Sequence, residues 1–215
     1  MLQAIGCRSV WVGLVALTVA LAAGALSGGC ARSAPERNLF AIALTPAGAP
    51  RITVPRLGVV RVELANVSPP YSGRSFVYRL GQNRYDSDFY NQFVIAPSDQ
   101  LTSVAVRYLQ DSGQFKHVVS GAETPTPDLR LETSVTDLYG DYRVAKSPAA
   151  YVRVRFLLLR DTGTTAEVVG QWTFEMAQPL EKPDAQSLVA GWNRAYQKVL
   201  EQFVESVRKL PLAAQ

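Results

Sequence analysis

Three consecutive segments of alternating apolar and polar residues, followed by one long amphipathic segment, constrain the fold of this chain most. The three segments are 128–142, 151–160 and 165–176, and residues 161–164 have the composition of a tight turn. A period of two residues is typical of half-buried strands. Segment 183–209 instead repeats its apolar residues every three or four positions, as in an amphipathic helix. The C-terminal half therefore predicts consecutive antiparallel strands followed by a long helix that packs on them.

The first half of the chain adds shorter strands. Residues 58–65 alternate apolar and charged side chains, which predicts another half-buried strand. Residues 75–80 and 84–89 lie on either side of residues 81–83, and this spacing is typical of a β-hairpin. Both hairpin strands contain aromatic residues, which favour a pleated surface. We therefore expect a strand and an aromatic-rich hairpin in this half.

One helix is predicted between the two halves. Apolar residues recur at helical spacing after Pro97, with Ser98 as the predicted N-cap and Gly113 as the closing residue. A short strand is expected over 115–119. This order of elements predicts an α/β (α+β-like) fold, in which a mixed, largely antiparallel sheet carries the internal helix and a long C-terminal helix.

The N-terminus has the parts of a secretory signal peptide. Arg8 precedes the apolar stretch 10–26, and small residues separate that stretch from Cys30. The stretch is short for a membrane-spanning helix, which needs about 20 apolar residues. Residues 26–30 resemble a lipobox, with a serine where an aliphatic residue is usual. We predict that 1–29 is removed and that Cys30 receives a lipid anchor; an uncleaved anchor helix is the alternative.

The chain from Cys30 onward divides into a tether and one domain. Residues 30–55 are rich in Pro and Gly and read as a lipidated N-terminus and tether, with 39–44 as its one extended stretch. Residues 56–215 form the predicted domain, which keeps no free thiol because Cys7 leaves with the signal peptide. In similar lipoproteins an aspartate directly after the cysteine retains the protein at the inner membrane. Ala31 stands there instead, which favours the outer membrane, facing the periplasm.

The charge of the chain argues against a nucleic-acid partner. The formal net charge is +4, from 22 basic and 18 acidic residues. These residues are dispersed along the sequence, whereas nucleic-acid-binding proteins usually cluster their Lys and Arg residues on one face. We therefore predict no nucleic-acid binding.

The sequence offers little support for catalysis. His117 is the one histidine and stands in a predicted strand, without the thiols or further histidines of a zinc site. Nucleotide-binding glycine loops and the serine-hydrolase elbow are missing from the sequence. We predict a protein that is not an enzyme, with no cofactor and no metal. A periplasmic enzyme that uses Asp137 and Asp141 as a carboxylate pair is the alternative.

Several short motifs, in order, give the chain a resemblance to a known family. They are Pro69-Pro70-Tyr71, Val77-Tyr78-Arg79, Tyr90-Asn91-Gln92-Phe93, Ser112-Gly113-Gln114-Phe115, Asp128-Leu129-Arg130-Leu131 and Leu138-Tyr139-Gly140-Asp141-Tyr142. Over 59–210 the chain resembles the ABC-type transport auxiliary lipoproteins. Phe93 departs from the pattern, since many relatives have tryptophan there.

The resemblance implies a non-catalytic subunit of a lipid transporter. Such lipoproteins act beside an ABC permease and ATPase and a mammalian-cell-entry domain protein that crosses the periplasm, moving phospholipid or other apolar molecules. The predicted interface or lipid contacts, with core residues as the alternative reading, are Tyr71, Phe76, Tyr78, Tyr90 and Phe93. If the chain forms a homo-oligomer, the regions around Tyr78 and Tyr90 are the expected interface. The alternative function is a structural lipoprotein of a secretion or cell-wall machine.

Overall fold

The computed structural model describes residues 36–43, 55–121, 127–163 and 165–211. The predicted signal peptide, Cys30 and most of the predicted tether lie outside these described residues. Within them, strands β1 to β9, two α-helices and one short 3-10 helix occur. Their bounds in chain order are β1 (Asn38–Phe40), β2 (Leu57–Val62), β3 (Asn66–Val67), the 3-10 helix (Pro69–Tyr71), β4 (Ser75–Arg79), β5 (Tyr85–Phe93), α1 (Pro97–Ser112), β6 (Phe115–Ser120), β7 (Leu129–Asp141), β8 (Ala149–Asp161), β9 (Ala166–Pro179) and α2 (Ala185–Arg208).

Strand β7 organises the sheet. On one side it pairs along its length with antiparallel β8, which pairs in turn with antiparallel β9. On its other side, three short strands run parallel to it: β2 beside residues 129–131, β3 beside 134–135 and β4 beside 140–141. Strand β2 carries β6, and β4 carries β5 and then β1. The result is a mixed sheet whose longest ladders are antiparallel, which confirms the fold class predicted from the sequence. The structure adds that this sheet curls into a half-barrel.

Helix α2 covers one face of this sheet. Its N-cap is Asp184, whose carboxylate accepts the Ser187 N–H at 2.7 Å. The Phe203 ring packs on Phe156 of β8, with centroids 4.4 Å apart. Trp192 contacts Phe76 of β4, with centroids 5.0 Å apart. The apolar stripe of α2 that the sequence predicts therefore packs against the sheet and closes the core on that side.

Helix α1 begins differently from the prediction. The N-cap residue is Ala96, with no side-chain cap, and Pro97 occupies the first turn. Pro97 lacks an N–H, so one of the donors that a cap would satisfy is absent. Ser98 instead lies inside the helix, which makes its predicted capping role wrong. The predicted end is confirmed, because Gly113 adopts the left-handed conformation at φ 67°.

Part of the predicted tether joins the sheet. β1 pairs in parallel with the end of β5, where Phe40 lies opposite Phe93. Just beyond β1, the Ile42 N–H donates to the Gln100 side chain at 2.6 Å, and the Ala43 N–H donates to Asn193 at 3.1 Å. The folded structure thus starts earlier than residue 56, while the division into signal peptide, tether and domain stays a prediction.

Neither described helix is both long and apolar enough to cross a membrane.

Candidate docking surfaces

The carboxylates considered for catalysis are engaged in local structure. Thr136 donates to Asp137 at 3.0 Å beside a bulge in β7. Asp141 accepts the Arg143 guanidinium at 2.6 Å, and this hydrogen bond lowers the pKa of the Asp141 carboxyl. A general acid would need the opposite shift. His117 is exposed on β6, and among the described residues no three potential metal ligands lie together.

A group of tyrosines lies on the face of the sheet that α2 leaves uncovered. Gly140 marks the covered face, because a Cβ there would lie 3.1 Å from Leu188 of α2. The neighbouring Tyr139 therefore points the other way. We call this group, with the arginine at its centre, the tyrosine cluster. Its members are Tyr71, Arg79, Tyr85, Tyr139 and Tyr151.

Arg79 holds the tyrosine cluster together. Its guanidinium donates to the Tyr139 hydroxyl at 3.1 Å and lies 5.6 Å and 5.7 Å from the ring centroids of Tyr85 and Tyr139. Both distances are within the range of cation–π attraction. Tyr139 also stacks on Tyr151 of the next strand, with centroids 4.9 Å apart. Tyr71 and Tyr139 are buried, so the accessible part of the cluster consists of Tyr85, Tyr151 and the Arg79 guanidinium.

Burial raises the pKa of three phenols of the cluster, those of Tyr71, Tyr139 and Tyr151. Burial, followed by hydrogen bonding to Glu175, raises the pKa of Tyr151 to about 12. Burial also raises the pKa of Tyr139, although the Arg79 guanidinium opposes that shift. The Tyr151 hydroxyl donates to Glu175 at 2.9 Å, and Arg153 donates to the same carboxylate at 2.6 Å. The cluster therefore has a rim of paired charges, as protein interfaces commonly do.

A second surface is created by a bulge in β5. Ser75 pairs with Gln92, whereas Val77 pairs with Ser87, so residues 88–91 protrude from the ladder. Asp88 holds this bulge by accepting four hydrogen bonds. The donors are the Tyr78 hydroxyl at 2.7 Å, the Tyr90 N–H at 2.8 Å, the Asn91 N–H at 3.0 Å and the Asn91 side-chain amide at 2.7 Å. Burial alone would raise the pKa of Asp88, but the hydrogen bonds from Asn91 and Tyr78 lower it overall.

The bulge presents two aromatic rings to solvent. Phe89 is 58% exposed and Tyr90 is 44% exposed, and their rings meet edge to face at 5.3 Å. The Arg37 guanidinium lies over the Phe89 ring, 4.5 Å from its centroid. We call the exposed apolar side chains on β1, on the bulge and just after β5 the β1–β5 patch. They are Leu39, Phe89, Tyr90, Val94 and Ile95.

The five predicted contact residues do not lie together on the surface. Tyr71, Phe76 and Phe93 are buried, and the last two pack against Trp192 in the core. Tyr78 is partly buried and is tied to Asp88, whereas Tyr90 is exposed. The contact role of the five residues stays a prediction. Tyr90 is the one of the five whose side chain is exposed. Phe89 and Leu39 are exposed as well but are not among the predicted contacts, although the adjacent aromatic pair at 89–90 is visible in the sequence.

A polar depression lies farther along the uncovered face. It has a volume of about 480 Å³, and its walls include Glu63, Arg130, Glu132 and Arg155. Binding pockets for apolar molecules are lined mainly by apolar and aromatic side chains. This depression therefore does not have the lining expected of a lipid site.

The chain belongs to the family described as the ABC-type transport auxiliary lipoprotein component, whose model matches residues 39–204. This finding confirms the resemblance predicted from the sequence. The family is an auxiliary transport component and is not a catalytic family.

Solved structures share the fold. A Xanthomonas campestris protein of the DUF330 family, XCC0632, has a TM-score of 0.67 and 20% identity, covering 78% of this chain and 92% of its own. A second crystal structure, of an uncharacterized protein, has a TM-score of 0.62 and 15% identity, covering 80% of this chain and 99% of its own. At these identities the likeness shows the fold alone. No curated protein matches the chain.

Proposed function

We propose that this protein is a non-catalytic lipoprotein subunit of an ABC-type lipid transport system that spans the periplasm. In this proposal Cys30 anchors the protein in the outer membrane, and the domain docks the mammalian-cell-entry component there. Family membership supports the transport role, and the lipobox-like sequence before Cys30 supports the anchor.

The tyrosine cluster is the observation that carries the docking role. Tyrosine and arginine are enriched among the residues that dominate binding energy at protein interfaces, because they give large contact areas and directed hydrogen bonds. Here Tyr85 is 44% exposed, and Arg79 and Tyr151 are partly exposed. Arg79 contacts both Tyr85 and Tyr139, and Tyr139 is itself buried beneath them. A preorganised surface loses little conformational entropy on binding. The cluster therefore suits recognition of another protein.

The charged lining of the depression on the uncovered face favours docking over carriage. The depression of about 480 Å³ on the uncovered face has charged walls and suits water or polar groups better than acyl chains. In the proposed function the apolar cargo stays within the partner proteins, and this subunit holds their end at the membrane.

A crosslinked pull-down of the lipidated protein tests this function. The protein is expressed with its genomic neighbours, crosslinked in membranes and purified, and its partners are identified by mass spectrometry. We expect a mammalian-cell-entry protein together with its ATPase. Recovery of secretion or cell-wall proteins instead would contradict the transport role and support the alternative of another envelope machine.

A variant of the exposed tyrosine locates the docking surface. Tyr85→Ser removes a ring at the rim of the cluster, and we expect at least about a fivefold loss of the recovered partner, equivalent to about 1 kcal/mol of binding free energy. Val168→Ser is the matched control, because Val168 is an exposed apolar residue on β9. Equal recovery for both variants would place the docking surface elsewhere.

A further inference from the structure

We propose that the β1–β5 patch lies against the bilayer, with the Phe89–Tyr90 bulge entering its headgroup region. The domain would then have one fixed orientation on the membrane. This inference rests on the proposed lipid anchor at Cys30, and it adds a second membrane contact made by the folded domain itself.

The patch concentrates the exposed apolar surface of the described residues. Among all the described residues, nine large apolar side chains are exposed, and five of these nine belong to the patch. The other four are dispersed: Leu64 lies between β2 and β3, Tyr85 at the start of β5, Val144 after β7, and Val168 on β9. Single exposed apolar residues need no explanation, but neighbouring ones often mark an interaction site. Here β1 pairs with the end of β5, and the rings of Phe89 and Tyr90 are in contact.

Hydrogen bonds to Asp88 hold the bulge in a conformation that leaves both aromatic rings exposed. The four hydrogen bonds to Asp88 fix residues 88–91, so the rings cannot fold back onto the sheet without breaking them. A phenol beside a phenyl ring places an apolar body next to a polar tip, which suits the boundary between acyl chains and water. Arg37 stacks on Phe89, and its guanidinium can reach lipid phosphates from that position. The chemistry of this surface thus matches a lipid interface.

The short chain from the anchor selects the bilayer as the occupant. Cys30 precedes Arg37 by seven positions. A fully extended residue spans at most about 3.6 Å, so the anchor holds Arg37 within about 25 Å of the lipidated cysteine. β1 and the patch follow directly after Arg37. Because the tether makes the second contact intramolecular, even a weak affinity of the patch for lipid suffices to keep it in place.

Depth-dependent fluorescence quenching tests the orientation. The full lipidated protein is reconstituted into vesicles of phosphatidylethanolamine and phosphatidylglycerol containing doxyl-labelled lipid, with no other protein present. A nitrobenzoxadiazole label is attached at Leu39→Cys, the one free thiol expected in the mature chain. Leu39 is 54% exposed, and Val168→Cys, at a position that is 59% exposed on β9, is the matched control.

We expect at least about twofold stronger quenching of the Leu39 label than of the Val168 label, since an interfacial group lies about 5–10 Å inside the headgroup boundary. In the Leu39→Cys background, Phe89→Ser with Tyr90→Ser should abolish this difference. Both rings are exposed, so thermal unfolding should remain unchanged and separate this effect from misfolding.

The outcomes separate the anchor from the patch. A protein that floats with the vesicles but shows equal quenching at both positions keeps its anchor and overturns the patch. Quenching that persists after both aromatic substitutions also overturns the role of the bulge. A protein that does not float lacks the anchor, which overturns the proposed function and this inference together.

Discussion

At the scale of single residues, the partly buried carboxylate of Asp88 determines the shape of the exposed bulge in β5. It collects donors from β4 and from its own bulge, and thereby holds Phe89 and Tyr90 away from the core. The sequence alone could not predict this role. Asp86-Ser87-Asp88 looks like a solvated turn, and the hydrogen bond from Tyr78 depends on the register of the hairpin rather than on the local sequence.

Replacing Asp88 tests this arrangement. Asp88→Asn removes a charged acceptor of several hydrogen bonds, and we expect the free energy of unfolding at neutral pH to fall by about 1 kcal/mol or somewhat more. Asp86→Asn is the control, since the Asp86 carboxylate accepts only the adjacent Ser87 N–H among the described contacts. Urea titration of both variants measures the difference.

The stability difference between the wild type and Asp88→Asn should depend on pH. The pKa of Asp88 is lower in the folded protein than its ordinary value. Its stabilising effect is therefore complete above the unfolded pKa of about 4 and is lost as the pH falls through the folded value. Below that point the protonated aspartic acid resembles asparagine, so we expect the stability difference between wild type and Asp88→Asn to shrink under acid. A difference that stays constant from neutral to acid pH would contradict the role assigned to the charge.

At the scale of elements, the close approach of α2 to β8 depends on Gly191. A Cβ on Gly191 would lie 2.7 Å from the Ala150 Cβ and 3.0 Å from Leu180. Gly191→Ala should raise helix propensity by up to about 1 kcal/mol, but the overpacking costs about 1–3 kcal/mol. We expect a net loss of stability. Gly73→Ala, where nothing lies within 4 Å of the new Cβ, should change the midpoint little in a thermal melt of each variant.

Elements also mark the limit of what the sequence could predict. β7, β8, β9 and α2 follow from their periodicity, because each pattern reports directly which side of an element is buried. The parallel pairing of β2, β3 and β4 with β7 could not be predicted from the sequence. The period of a strand shows which of its faces is buried, but it does not show which distant strand pairs with it or in which register. Phe76 and Phe93 illustrate the same limit. In an aromatic-rich hairpin, the sequence does not distinguish an aromatic residue that faces solvent from one that packs on Trp192.

At the scale of the whole molecule, one apolar core joins both ends of the sheet. The core cluster includes Phe76 near β1 as well as Phe203 near the end of α2. We expect cooperative unfolding, with far-UV circular dichroism and tryptophan fluorescence giving the same midpoint. Phe76→Ala and Phe203→Ala should each cost about 3–5 kcal/mol, whereas the exposed Phe89→Ala should cost less than about 0.5 kcal/mol. Two separate transitions would show that the halves fold independently.

The position of β1 has a mechanical consequence. If the lipid anchor and a docked partner pull in opposite directions, the load reaches the domain first through β1, an edge strand of three residues. Its ladder with β5 and the bonds of Ile42 and Ala43 to Gln100 and Asn193 resist that load. Peeling residues 38–43 would release about 20 Å of chain and leave the β7–β9 ladders intact. Under load, β1 would thus detach before the core unfolds, and the released chain would let the subunit follow movements of the envelope.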